Sequence, residues 1–457
     1  MINTTGSFAK SPRMLELLRS RTARNSGFNL LGMAIPLLIG LLLVPVTLHG
    51  LGVARFGLLS LSLTVLEYST FFALGLGPAT TKHVAEAIAR EDSSTSDLIV
   101  MSMIGHALLG SIGGAIIALL APAIVDHVFA VSANLRAEAI AVFRLLGVMV
   151  PATLLLLSLF GALEGANRFG LVNLLRVPIS ALSFIIPALG VTYGVDLPAI
   201  LSTLVILRLV ICGILALVVA ASVPGYQWKW PTDWRRMRPL LSFGAWLSVS
   251  NVVSPTLVYA DRFFLGHLSG LTALGLYSAP FDAVMRFLAI PGSLVRAMFP
   301  TLSALQSMSS RDQLRRLFGR AVSAVVLLLA GPVLIVILFG PWLLRLWLGE
   351  QVAASAGTAV RVLAAGLIFN GAALVPLTFI AAFGRPDLSA KFHTLELLMH
   401  VPITWLLVSH YGIVGAATAW SIRVIFDAAL LFRAARKLLG GSAPLAVAIN
   451  GSPAAAS

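Results

Sequence analysis

The chain has 457 residues, of which 58% are hydrophobic and only 11% charged, and its mean hydropathy is +0.95. Soluble domains carry about 25% charged residues, so a soluble globular protein is excluded and an integral membrane protein is expected. The formal net charge is +14 and there is one cysteine, Cys212, so no disulfide can staple the chain internally and Cys212 reads as a small apolar helix residue.

The first 26 residues carry Lys10, Arg13, Arg19, Arg21 and Arg24. The apolar stretch that follows is too long for a signal-peptide core and lacks a clear cleavage site, so it reads as retained. Ser11-Pro12 suits a helix start. Met14, Leu15, Leu17 and Leu18 then form an apolar face, which predicts a short helix lying on the cytoplasmic surface. A spanning helix needs about 20 apolar residues. Twelve segments qualify: 27–49, 57–78, 97–121, 137–160, 168–190, 197–221, 239–262, 271–299, 318–340, 355–382, 391–409 and 413–433. ATTKHVAEAIAR (79–90) reads as a surface-lying amphipathic helix. The polar, basic, Trp- and Pro-rich stretch 222–240, SVPGYQWKWPTDWRRMRPL, separates the sixth and seventh spans.

The two sides of that seam resemble each other. LGVARFGLLSL (51–61) aligns with SGLTALGLYSA (269–279), which places Gly52 on Gly270, Gly57 on Gly275 and Ser60 on Ser278 at an offset of 218. TYGV (192–195) meets HYGI (410–413) at the same offset. Arg144 with Arg361, Pro122 with Pro341 and Gly165 with Gly384 agree to within one residue. A near-constant offset in chain order means an internal repeat. The segments are a cytoplasmic N-terminal stretch 1–26, a six-helix lobe 27–221, a linker 222–238, a second six-helix lobe 239–436 and a cytoplasmic tail 437–457. Six spans per half start both halves on the same side, so the repeats are parallel. Transporters of that build hold substrate near the bilayer midplane between halves and rock one against the other.

Orientation follows the Lys and Arg of the connections. With the N-terminus inside, inner segments hold 21 and outer segments hold 4, the latter being Arg55, Arg136, Arg262 and Arg345. Both termini are therefore expected in the cytoplasm. Trp342 and Trp347 suit the outer aromatic belt, and Trp228, Trp230 and Trp234 the inner one.

Seven arginines remain inside spans: Arg144, Arg176, Arg208, Arg286, Arg296, Arg361 and Arg423. The in-span carboxylates are Glu67, Asp282, Glu396 and Asp427. An ionisable group at a helix centre costs about 2.5–3.5 kcal/mol even on insertion scales, so each should face a partner or a cavity. Arg296 and Asp427 lie near enough to the cytoplasmic end to snorkel. Arg208 and Arg423 sit about 15 Å deep in the last span of each half. Guanidinium is a planar fork that matches phosphate oxygens and keeps its proton, so a cavity lined by the excess arginines attracts an anion. The competing reading is internal pairing, Asp282 with Arg286 one turn later. Arg208, Arg286 and Arg423 lead the anion-binding candidates, followed by Arg144, Arg361 and Arg176. Glu67 and Asp282 are the candidates to carry a coupling H+ or Na+. His393, Glu396 and His400 share one helix face, which reads as a polar face turned to the bundle rather than as a metal site. No cofactor and no nucleic acid are called for. GLGPATTK (75–82) lacks the lysine and glycine spacing of a phosphate loop.

GFNLLGMAIPLLIGLLLVPVTLHGLGVARFGLLSL (27–61), FFALGLGPATTKHVAEAIAR (71–90) and ADRFFLGHLSGLTALGLYSAP (260–280) resemble the polysaccharide transporter family, the oligosaccharide-flippase branch of the MOP superfamily. The resemblance covers residues 25–436. It implies a MATE-like fold of two six-helix lobes around a V-shaped cavity lined by spans one, two, seven and eight, which here offer Asn29, Glu67, Asn251, Asp282 and Arg286. It implies movement of a polyprenyl-pyrophosphate-linked oligosaccharide from the cytoplasmic to the outer leaflet of a bacterial inner membrane, for O-antigen, capsule or exopolysaccharide synthesis. Expected partners are that lipid-linked oligosaccharide, membrane lipids, and polysaccharide polymerase and chain-length proteins. Two other readings stand beside it. A MATE-type cation antiporter wants a carboxylate in the first span, and 27–49 has none. A membrane-embedded polysaccharide polymerase or ligase wants a long outer loop, and the outer connections are short.

The orientation has a direct test. Single cysteines placed near residues 126 and 350 in a Cys212-free chain are expected to label with an impermeant maleimide added outside. Protection of both would overturn the arrangement.

Overall fold

The computed structural model describes residues 35–92, 94–231, 234–237, 256–295, 298, 302 and 311–440. The surface helix expected near residues 12–18, Asn29, Asn251, Arg296 and the tail from 441 lie outside the described residues. Regular structure among the described residues is helical throughout. Within lipid a helix satisfies its own backbone groups, and an open strand cannot. Nine helices among the described residues are long and apolar enough to cross a membrane.

The N-terminal lobe holds α1 (Ile35–Leu51), α2 (Val53–Ser69), α3 (Leu76–Ala89), α4 (Thr95–Ala123), α5 (Arg136–Gly165), α6 (Phe169–Thr192) and α7 (Leu197–Ser222). The C-terminal lobe holds α8 (256–268), α9 (Gly270–Arg286), α10 (Arg311–Leu348), α11 (Glu350–Ala382) and α12 (Pro386–Gly440). Within α12, Gly412 leaves helical geometry at φ 52°, ψ −123°. The kink falls at the junction expected between spans 391–409 and 413–433.

Three of the boundaries that differ from expectation do so for a local reason. The second span was expected over 57–78. Instead α2 closes in a 3-10 turn at Thr70–Ala73, and Leu74 and Gly75 take left-handed backbone at φ 45° and 67° before α3 begins. The helix expected to lie on the surface over 79–90 therefore starts at Leu76. Its Leu76, Ala79, Val84 and Ala87 are buried, and it packs against α4 and α5. The seventh span does not stop at residue 262. Its helix continues to 268 and ends where Gly270 adopts φ 81°.

The seam is anchored to the N-terminal lobe. Gln227 N donates to Ser96 Oγ at 2.8 Å, Ser96 Oγ donates to the Gly225 carbonyl at 3.2 Å, and Lys229 faces Asp97 at 3.9 Å. Trp228 and Trp230 stay exposed.

The lobes meet where α2 crosses α9. A Cβ on Gly57 would lie 1.9 Å from the Leu271 carbonyl oxygen, and one on Gly275 would lie 2.2 Å from the Val53 carbonyl oxygen. Only glycine lets two backbones approach so closely. These are the two glycines that the repeat superposes, so each lobe presents the same position to the other across the repeat axis. The same end of the bundle carries further ties: Ala130 N donates to the Gly266 carbonyl at 3.0 Å, and Trp347 Nε1 donates to the Leu41 carbonyl at 2.6 Å.

Replacing either glycine by alanine drives a methyl into backbone that cannot rotate away, so the crossing must open. Gly57→Ala and Gly275→Ala are expected to cost about 1–3 kcal/mol each, read as a lower Tm in detergent. A cysteine at the buried Ser278 should label faster in either background. An unchanged Tm with unchanged labelling would show that the crossing does not hold the lobes together.

Candidate functional site

Among the described residues, two adjoining cavities lie between the lobes beside the glycine crossing. One, about 520 Å³, has an almost wholly apolar wall that includes Leu41, Val44, Leu59, Phe184 and Ile290. The other, about 340 Å³, is polar and is lined by Thr64 and Glu67 of α2, Tyr259 and Arg262 of α8, and Asp282 and Arg286 of α9. Leu63, Asp282 and Arg286 belong to both walls. The chamber is therefore amphipathic, with its charged groups at the junction.

Arg286 sits at that junction. It does not pair with Asp282, as the one-turn spacing suggested. Its Nη1 donates to the Leu37 carbonyl at 3.2 Å, and its guanidinium lies 5.2 Å from the Phe184 ring centroid. A Cβ on Gly40 would come within 2.8 Å of Nη1, so α1 leaves room for the fork by having no side chain there. Held by a carbonyl and a ring, this cation keeps donors for a ligand.

Asp282 instead accepts from Nη2 of Arg262, a residue expected in an outer connection and found 5% exposed inside the helix. The correction follows from the longer α8: seven residues before Ser269, Arg262 lies about 10 Å below the helix end. Its Nη1 donates to Thr64 Oγ1 at 3.3 Å, and the guanidinium lies 5.1 Å from the Phe281 centroid. Sequence reasoning missed Arg262, Tyr259 and Thr64. The signal for Arg262 was Ser269-Gly270, a helix stop seven residues on.

From Arg262 a buried polar chain runs into the C-terminal lobe. Asp261 accepts from the Arg262 backbone N–H at 2.8 Å and from the Tyr277 hydroxyl. It also feels the charge of Arg423. Arg423 lies 3.6 Å from Glu396, and their side chains are 10% and 0% exposed. Ligand atoms of His393, Glu396 and Asp427 fall within 4.8 Å of one another. His400 is not part of that group and shares a hydrogen bond with Thr404 at 3.1 Å. Asp427 does not snorkel. It is buried against this cluster, where Arg423 already supplies the positive charge.

The sequence-derived candidates thus separate. Glu67, Asp282 and Arg286 come together in the chamber. Arg208 lines neither cavity and donates to Thr153 Oγ1 at 3.3 Å. Arg423 is an internal partner of Glu396 and lines neither cavity. Arg176 pairs with Glu164 at 3.0 Å and covers the Phe160 ring. Arg144 and Arg361 are exposed on α5 and α11, away from both cavities.

Comparison with known proteins gives a consistent picture. The family described as polysaccharide biosynthesis protein matches residues 22–306, more than half of the chain. A protein of Shigella flexneri called a putative O-antigen transporter is 29% identical over 410 residues, which is 89% of this chain and 96% of that one. The inward-facing structure of a MATE multidrug-resistance transporter of the MOP superfamily superposes with a TM-score of 0.74 at 17% identity, covering 90% of this chain and 98% of the other. The lipid II flippase MurJ in an inward closed conformation gives 0.71 at 13%, covering 90% and 87%. The fold is the MATE-like arrangement.

Arg262 is buried but its partner Asp282 is half exposed to the cavity, so losing the guanidinium costs less than the about 3–5 kcal/mol typical of a fully buried pair. Arg262→Ala removes the cation facing Asp282, while the bonds of Asp261 to the backbone N–H and to Tyr277 remain, and it is expected to lower Tm and membrane abundance. Arg262→Lys should fall between that variant and the parent. Thermal unfolding in detergent decides: an Arg262→Ala protein as stable as the parent would show the pair to be incidental.

Proposed function

This chain belongs to the polysaccharide biosynthesis protein family, and on that footing we propose that it is a flippase that moves a polyprenyl-pyrophosphate-linked oligosaccharide across the bilayer for cell-surface polysaccharide synthesis. The observation that carries the reading is the shared wall of the two cavities, where Arg286 stands between an apolar and a polar compartment. A substrate with a hydrocarbon tail, a pyrophosphate and a sugar has its charge at such a boundary. The apolar cavity suits the first isoprene units, and Arg286 the phosphate oxygens. Tyr259, Thr64 and Glu67 offer hydroxyl and carboxylate partners to a glycan.

The proposed cycle rocks residues 27–221 against 239–436, with both termini in the cytoplasm. Opening the α2–α9 crossing would expose the chamber on the side that the crossing closes. Arg262, neutralised by Asp282, shapes the site rather than holding the anion. Arg286 is the principal proposed pyrophosphate ligand, and Arg208 adds positive field from α7. Arg423 leaves this role, because its charge is used inside its own lobe. Glu67 is the proposed coupling carboxylate, since Asp282 is held by Arg262. A cation antiporter is disfavoured by the cation at the compartment boundary and the absence of a carboxylate from 27–49.

Two variants test the anion site. Arg286→Ala removes charge and fork, whereas Arg286→Lys keeps only the charge. Surface glycan display in a complemented deletion strain is expected to be lost in the first and nearly as low in the second, at normal protein abundance. Full display with Arg286→Ala would move the site elsewhere. Glu67→Gln is expected to abolish the dependence of transport on a pH gradient, and unchanged dependence would remove Glu67 from coupling.

A further inference from the structure

Away from the chamber, a third cavity of about 510 Å³ lies between the first turns of α10 and the last turns of α12. Phe318 and Val322 of α10 face Phe432 and Leu439 of α12 across it, and Arg315 and Arg436 flank it. Phe318 meets Phe432 edge-on with centroids 5.8 Å apart. Nε and Nη2 of Arg315 donate to the Leu439 carbonyl at 3.3 and 3.1 Å, which fixes the fork at the cavity rim. Arg315 and Arg436 line the cavity, and the same turns of the two helices carry four more cations, Arg316, Arg320, Arg433 and Lys437, against one carboxylate, Asp312. Among the described residues none of the six is ion-paired.

A free anion would have no use for the aromatic wall, and a bare hydrocarbon would have none for the arginines. Together they match an amphiphile with an anionic head. We infer that this cleft binds an anionic phospholipid of the surrounding bilayer, its phosphate between Arg315 and Arg436 and one acyl chain along Phe318 and Val322. Basic pockets at the ends of membrane helices capture such headgroups. The cleft shares no residue with the chamber, so the inference stands apart from the transport reading. Its consequence lies in α12, the helix that carries Glu396, Arg423 and Asp427: a lipid there clamps the end of α12 to α10.

The test uses the purified full-length chain in detergent, with native mass spectrometry and thermal unfolding read together. Phosphatidylglycerol is expected to bind and raise Tm, and phosphatidylcholine to do neither. Arg436→Ala should weaken phosphatidylglycerol binding about fivefold. Val322→Trp, which keeps every charge but fills the wall, should weaken it as well. The inference fails if phosphatidylcholine binds equally well, or if both variants bind phosphatidylglycerol like the parent. It also fails if inorganic phosphate alone gives the same stabilisation, which would mark a simple anion site.

Discussion

A guanidinium inside a bilayer cannot discharge itself, and the arrangement around Arg262 follows from that constraint. Arg262 is buried between two lobes, and its charge is met by Asp282 on α9 while its own backbone N–H is taken by Asp261. Asp261 in turn receives the Tyr277 hydroxyl, and within the same lobe Arg423 lies 3.6 Å from Glu396. Two elements of the C-terminal lobe, α8 and α9, are thereby keyed to one another by groups that hydrocarbon packing alone could not place.

The repeat gives the two lobes the same contact element and then lets them diverge. Gly57 and Gly275 touch across the repeat axis, so the lobes are joined by a symmetric, side-chain-free crossing. Such a contact is made of backbone on both sides and tolerates no intermediate spacing, which suits a joint that is either closed or open. Away from it the symmetry fails. The chamber's two arginines both come from the C-terminal lobe, while the N-terminal lobe contributes Glu67 and an apolar wall from α1, α2 and α6. The two halves of one ancestral bundle thus share a hinge surface but not a binding role.

The amphipathic chamber is what links this packing to transport. Its polar compartment is small and its apolar compartment larger, with Arg286 on the boundary. Gly40 keeps α1 out of the way of the fork, and Phe184 supports it from α6. A charge placed where two environments meet suits a molecule with the same division, which is the ground for the proposed function.

The meeting of Glu67, Asp282 and Arg286 on facing helices was implied only by the family resemblance, whereas the sequence by itself determined the membrane class, the helical build and the repeat. These are set by composition, by apolar run length and by a constant offset, all of which are local or additive along the chain. Gly57 and Gly275 were already paired in the alignment, although nothing in it said that they touch. Which charges pair was decided only by the tertiary structure. Arg262 looked like a loop residue because a polar residue at the edge of an apolar run seems to end it, whereas the helix continues to 268. Arg423 looked like a ligand because depth alone cannot tell the outside of a helix bundle from its core or its cavity. Rotation about each helix axis and the register between helices set those partners. Both are fixed by packing among segments far apart in the chain, the kind of information that no single segment carries.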